Sequence, residues 1–167
     1  ETIARKRFAF DELLMVQLQS LQVKALFETA QATALPSDDA LRREFLSTLP
    51  FTLTNAQQKA GTEILADMAR PRPMNRLLNG DVGSGKTVLA ALASFVTAHH
   101  GYQVALLAPT EVLARQHYES FTRLMADTGH GIVLFTGSYR LSDGHPTTRP
   151  SLLKAIQAGI PRIIIGT

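Results

Sequence analysis

Apolar residues in the opening stretch of the chain recur at mixed three- and four-residue intervals: Phe10, Leu13, Leu14, Val16, Leu18, Leu21 and Ala25. That spacing, with Asp11 and Glu12 placed to complement the amide end of a helix, predicts an amphipathic helix. Residues 31–39 break the rhythm with Pro36 and several side chains of the kind that cap helices. A connector therefore leads to a short second helix over 40–48, closed by Pro50. A boundary near residue 36 divides a helical lead-in (1–36) from a body (37–167) with a different grammar. From Thr54 the pattern alternates helix and strand. The strand candidates are 76–79, 103–108, 132–135 and 162–165, whose apolar cores (Val104-Ala-Leu-Leu, Ile163-Ile-Ile) hardly alternate and suit strands covered on both faces. Helices over about 86–99, 111–126 and 152–158 have the length of crossovers, so the expected fold is α/β with a parallel sheet. Gly101 is placed to end the first of these in a left-handed turn, and Pro71 and Pro73 close the helix that begins near Thr54. Residues 139–150 are polar and turn-rich and read as a mobile loop.

The chemistry concentrates in Gly80-Asp81-Val82-Gly83-Ser84-Gly85-Lys86-Thr87, which matches Gly, any four residues, then Gly-Lys-Ser/Thr. It follows Leu77-Leu78-Asn79 and opens a helix, the strand-loop-helix setting that a phosphate cradle needs. Glycines let successive amides converge on phosphate oxygens, and the helix start adds donors and the positive end of its dipole. Lys86 would reach the β and γ phosphates as a point charge, and the Thr87 hydroxyl would complete a magnesium shell. Asp81, Val82 and Ser84 shape the loop. ATP with magnesium is the implied ligand, with Lys86 and Thr87 as the catalytic candidates.

Other candidates are weaker and keep two readings. Thr54-Asn-Ala-Gln57 has the form of a capping box, and a free Gln57 amide would also match the N6 donor and N7 acceptor of adenine. Phe51 either packs on the base or staples the helix. Pro109, Thr110 and Glu111 stand where the second strand gives way to a helix, a position where ligands of open α/β sheets collect. Thr110 as a helix cap explains them as well as a nucleic-acid phosphate does. Thr136-Gly137 and Gly166-Thr167 repeat that position at later strand ends. Five histidines (His99, His100, His117, His130, His145) lack zinc-site spacing and read as solvated surface. Arg70, Arg72 and Arg76 flank prolines in what reads as a solvated connector.

Composition adds limits. The 167 residues are 45% apolar, carry 17 Lys plus Arg against 14 Asp plus Glu for a net +3, and contain no cysteine. A chain of that size can bury a core, has no thiolate chemistry or disulfide frame, and carries no apolar run near the roughly 18 residues of a membrane span. Its excess of positive charge permits a polyanion without requiring one. With no leader segment, a cytoplasmic, membrane-free protein is expected.

Taken together, Leu53-Thr54-x-x-Gln57, Arg70-Pro-Arg-Pro-Met-Asn-Arg-Leu-Leu, Gly80–Thr87 and Ala108-Pro-Thr-Glu-Val-Leu-Ala114 resemble the RecG family of bacterial DNA helicases. The resemblance spans essentially the whole chain, from the helical link that leads out of a wedge domain to the first half of the first RecA-like motor lobe, a P-loop NTPase unit. It implies ATP-driven superfamily 2 translocation on double-stranded DNA that remodels stalled forks and Holliday junctions in repair and recombination. It also places Gln57 in the adenine-reading motif. Residues 80–87 fall in motif I, Pro109, Thr110 and Glu111 in motif Ia, Thr136 and Gly137 in the next strand-end motif, and Gly166 and Thr167 at the start of motif Ib, all three on DNA. The family's Asp-Glu-x-His segment, second motor lobe and wedge are not in this sequence. The expectation is a piece that does not turn over ATP alone, that leaves a sheet edge exposed, and that is prone to self-association. The motor of the transcription-repair coupling translocase shares the Arg-Pro-x-Pro-Met stretch and motif I, but the Leu49-Pro-Phe-Thr-Leu-Thr54 run favours RecG. A nucleotide kinase would need a lid and convergent arginines that are absent, and a non-helicase nucleotide-binding module is the remaining alternative.

Overall fold

The structure, a computed structural model, describes residues 2–160 and 162–167, and within them every side chain except those of 2–4 and 26–28. Its elements in chain order are α1 (Thr2–Thr29), α2 (Asp39–Ser47), α3 (Asn55–Met68), α4 (Lys86–His99), β1 (Val104–Leu107), α5 (Glu111–Leu124), β2 (Ile132–Phe135), β3 (Arg140–Ser142), β4 (His145–Pro146), α6 (Arg149–Gln157) and β5 (Ile163–Gly166).

Local chemistry sets most boundaries. Asp38, Thr54, Thr110 and Thr148 each stand in extended backbone and accept an amide hydrogen bond from three residues on, starting α2, α3, α5 and α6. The C-terminal end of α4 is closed by Gly101 at φ 83°, whose N–H reaches the Ala98 carbonyl at 2.9 Å.

The sheet runs β1-β5-β2-β3-β4. The α/β reading holds, but the sheet is mixed: β1, β5 and β2 are parallel, and β3 and β4 extend it as antiparallel strands. Residues 139–150, expected as a loop, supply that hairpin. Its tip turns at Asp143 (φ 47°) and Gly144, and Asp143 accepts from the Ile132 N–H at 3.1 Å. β5 is last in the chain yet central, with Ile163 and Ile165 fully buried. On one face of the sheet Phe45 of α2, Phe95 of α4, Phe121 of α5 and Ile163 and Ile165 of β5 form the core.

Three expectations need correction. Residues 76–79 form no strand; no neighbouring backbone completes a ladder with them, and Leu77 is 92% exposed. β1 is not covered on both faces, since Ala105 and Leu107 are exposed and pairing occurs only toward β5. That is the open sheet edge anticipated from the sequence. Finally, α1 forms and runs longer than expected, but no described side chain on it is buried, so its apolar positions line no core. It faces residues 70–77 across a groove of about 720 Å³, between Val16 and Val23 on one side and Met74 and Leu77 on the other. The connector behind α1 lies on the body: Ala32 and Leu35 donate to the Pro71 and Met68 carbonyls, and His100 Nε2 is 2.7 Å from the Pro36 carbonyl. Among the described residues no helix is long and apolar enough to cross a membrane.

Candidate nucleotide and nucleic-acid site

The loop 80–87 leads directly into α4. Gly83 and Gly85 have φ of 82° and 83°, the left-handed region where a Cβ is costly. A Cβ at Gly85 would also run into Gln57 Nε2, and one at Gly80 would come within 2.7 Å of Ser84 Oγ. The loop is therefore an exposed, closely wound cradle that only glycines permit at these points. Lys86, first residue of α4, folds back over it and donates from Nζ to the carbonyls of Gly80 at 2.6 Å and Asp81 at 2.7 Å. The ammonium is thus parked at the mouth of the loop, held by neutral acceptors that a phosphate's formal charge would outcompete. Val82 is fully exposed at the tip and Asp81 is exposed beside it.

Gln57 is the loop's brace. Its Oε1 accepts from the Thr54 N–H at 2.9 Å, closing the capping box, while its Nε2 donates to the Ser84 carbonyl at 2.8 Å. Both ends of the amide are engaged by protein, each through one hydrogen bond, which leaves one acceptor lone pair and one N–H on the amide. Beside the loop lies a slot of about 300 Å³ lined by Pro50, Phe51, Gly85, Thr87, Val88, Ser120, Arg123 and Leu124. Phe51, Gly85 and Thr87 were expected near a nucleotide. Ser120, Arg123 and Leu124 were not, because they come from the far end of α5 and no local motif marks them. Their placement follows from the packing of α5 against α4 and from the residue that ends α2, where Thr48 Oγ donates to the Leu124 carbonyl at 3.0 Å.

Strand register gathers the second group. Leu107 and Phe135 both pair with Gly166, so residues 108–111, 136–137 and 167 leave the sheet side by side. Pro109, Thr110, Gly137 and Thr167 are exposed there. The Thr110 hydroxyl accepts from the Leu113 N–H at 3.3 Å, which is its capping role. Thr136 departs from the expected surface role: it is 5% exposed, and its hydroxyl accepts from the Tyr139 N–H at 2.9 Å to close the turn after β2. Glu111 turns its carboxylate onto that same turn, where the Ser138 N–H donates to Oε1 at 2.8 Å. Amide and hydroxyl donors of Ser138, aided by Thr136 and Gly137, hold its pKa below the usual carboxylate range against some desolvation.

The arginines ahead of the loop are structural. Arg76 donates to both Glu63 and Asp67 of α3, at 2.9 and 2.6 Å, and Arg70 pairs with Asp67 at 3.1 Å. No group of three potential metal-binding side chains is found among the described residues. His130 is half-buried against Phe95 rather than solvated, and burial lowers its pKa.

The fold, the glycine cradle and the row of strand ends define a class. Residues 54–167 match the DEAD/DEAH box helicase model, and the chain belongs to that family. It is 42% identical to the ATP-dependent DNA helicase RecG of Aquifex aeolicus over 97% of its own length and 20% of the relative, and 42% identical to that of Bacillus subtilis over 99% and 24%. The solved structure of RecG bound to a three-way DNA junction superposes with a TM-score of 0.81 at 37% identity, covering 98% of this chain and 22% of that one. A hypothetical ATP-dependent RNA helicase from Sulfolobus tokodaii shares the fold at 16% identity, with a TM-score of 0.54 over 78% of this chain and 34% of that one. The chain thus spans about a quarter or less of the RecG relatives it matches.

Proposed function

We propose that this chain is the nucleotide-binding part of an ATP-dependent DNA helicase that translocates on double-stranded DNA and remodels branched structures, such as stalled forks and Holliday junctions, in repair and recombination. The observation that carries the reading is the glycine-wound loop with Lys86 at its mouth, on a chain similar along its length to RecG. Amides of residues 80–87 and the start of α4 receive the triphosphate. Lys86 exchanges the Gly80 and Asp81 carbonyls for phosphate oxygens. Thr87 would help hold magnesium through its hydroxyl, and the ion would supply positive charge to the triphosphate.

The slot beside the loop suits a base, with Phe51 as one wall and Arg123 as a second that can stack on a π face. Gln57 acts first through the loop it braces. Its remaining lone pair and N–H are what it would offer to adenine while the capping box and the Ser84 bond stay closed. Pro109, Thr110, Gly137 and Thr167 form the edge that meets DNA. The wedge domain and second motor lobe belong to the complete protein, which works in the cytoplasm.

Lys86→Ala tests the nucleotide half. Calorimetry should show magnesium-ATP affinity falling by about two orders of magnitude, in line with loss of a direct charge-assisted contact. The unfolding midpoint should barely move, since the ammonium fills no core. Unchanged affinity refutes the site. In the complete protein, ATP hydrolysis that responds no better to branched than to linear duplex DNA would refute the substrate.

A further inference from the structure

Glu111 stands between two pieces of the edge proposed to meet DNA, and it has the wrong charge for a direct contact, since a carboxylate near the phosphate backbone repels it. Its side chain is turned onto protein instead. Oε1 accepts from the Ser138 N–H at 2.8 Å, and donors of Ser138, Thr136 and Gly137 together hold the carboxyl's pKa down. A turn amide that could meet an outside anion is satisfied here by an internal acid. A Cβ on Gly137 would lie 2.9 Å from that same Oε1, so the glycine is what lets the carboxylate come so near.

The same stripe of α5 makes two more attachments. One turn on, the Arg115 guanidinium lies 5.8 Å from the centre of the exposed Tyr139 ring. One further turn on, the Tyr118 hydroxyl accepts from the Gly144 N–H at 2.8 Å. Positions i, i+4 and i+7 share one helix face, so three side chains of a single face hold the turn after β2 and the tip of the β3–β4 hairpin. Arg115 and Tyr139 remain exposed, a cation and an aromatic ring side by side at the end of the sheet, and the Arg115 Nε that pairs with Glu119 at 3.1 Å leaves the terminal guanidinium nitrogens outward. The Arg115–Tyr139 pair suits a sugar–phosphate backbone, with the guanidinium on a phosphate and the ring on a sugar or base.

We infer that Glu111 is a positioning residue for DNA binding, locking the start of α5 and the Gly137–Tyr139 turn into one rigid edge whose Arg115–Tyr139 pair meets the DNA backbone. This rests on the DNA-helicase reading above and adds to it two contact residues and the device that aligns them.

The direction of a mutational effect decides the matter. If Glu111 were only a negative charge near DNA, removing it would tighten binding. If it positions the edge, removing it weakens binding. The complete protein and its variants are titrated against a fluorescently labelled three-way DNA junction, with amide hydrogen exchange followed over residues 136–139. Glu111→Ala should weaken binding about tenfold, the scale of one lost charge-assisted hydrogen bond, and should expose the Ser138 amide to faster exchange. Glu111→Gln should recover part of the affinity, because its amide oxygen can still accept from Ser138. Gly137→Ala keeps every charge and disturbs only the approach, and it should weaken binding in the same direction. Equal or tighter junction binding by Glu111→Ala overturns the inference, and so does exchange at Ser138 that does not change. An unaltered protein that ignores the junction while still protecting Ser138 removes the functional reading first and this inference with it.

Discussion

Two apolar runs that look alike in the sequence end in different states. Ile163-Ile-Ile lies in β5, with β1 on one side and β2 on the other, and Ile163 and Ile165 are fully buried. Leu77-Leu78, leading into the phosphate loop, has no ladder on either side, and Leu77 is 92% exposed. The first region is held by backbone pairing and burial. The second is held by side-chain tethers: Arg76 to Glu63 and Asp67, Gln57 to Ser84, and Lys86 to Gly80 and Asp81. An apolar run states what a segment can become, whereas neighbours with free edges decide whether it becomes a strand.

The sharpest way to probe that contrast is a pair of truncations read by chemical denaturation. Ile165→Ala should cost about 2–5 kcal/mol, the range for large-to-small changes at closed core sites. Leu77→Ala should stay within about 0.5 kcal/mol, as expected for an exposed position. Comparable losses at the two sites would show that 76–79 is packed as a strand after all. Next in size, Gly85→Ala forces a Cβ into the left-handed region and against Gln57 Nε2. It should destabilise by about 1–2 kcal/mol and weaken nucleotide binding as the brace shifts; a neutral outcome in both measurements would mean that the loop is not closely wound.

A further, pH-dependent effect concerns the Arg76 tether. A hydrogen bond from Arg76, opposed in part by desolvation, holds Asp67 below its ordinary pKa of 3.8. A depressed carboxylate pKa contributes stability that is complete above the unfolded-state value and disappears as pH falls through the folded one. Asp67→Asn should therefore lower stability by no more than about 1 kcal/mol at neutral pH, given solvent screening. Its deficit relative to the unaltered protein should close below about pH 4. A deficit that persists unchanged into acid would assign the effect to packing rather than charge.

Much of this architecture was legible because its signals are local. The helix after the loop was expected over 86–99 and forms there, since Gly85 and Gly101 flank a continuous good helix former. The capping box at Thr54 and Gln57 was read correctly for the same reason. The failures share the opposite cause. The β3–β4 hairpin is built from polar residues and gains its order from long-range partners, the Phe135–Arg140 register and the Tyr118 hydroxyl on Gly144. The spacing along α1 promised a buried face, yet spacing cannot supply something to bury against. At the candidate site, the loop was visible residue by residue and Arg115 was already a candidate beside a nucleic-acid phosphate, while Ser120, Arg123 and the partnership of Arg115 with Tyr139 were hidden because only packing brings these α5 side chains to the slot and to the turn after β2. The buried state of Thr136 was hidden likewise, since a threonine after a strand reads the same whether its hydroxyl closes a turn or meets solvent.

Helix α5 starts at Glu111 and carries Arg123 thirteenth of its 14 residues, so one rod about 21 Å long has its first turn against the strand-end row and its last against the slot beside the phosphate loop. A rod cannot be tipped at one end alone. A tilt of about 3° around its midpoint displaces the two ends by roughly half an ångström in opposite senses, comparable to the difference between a firm and a broken hydrogen bond. The strand-end row and the slot beside the phosphate loop thus share one rigid element, with Glu111 at one end of it and Arg123 at the other.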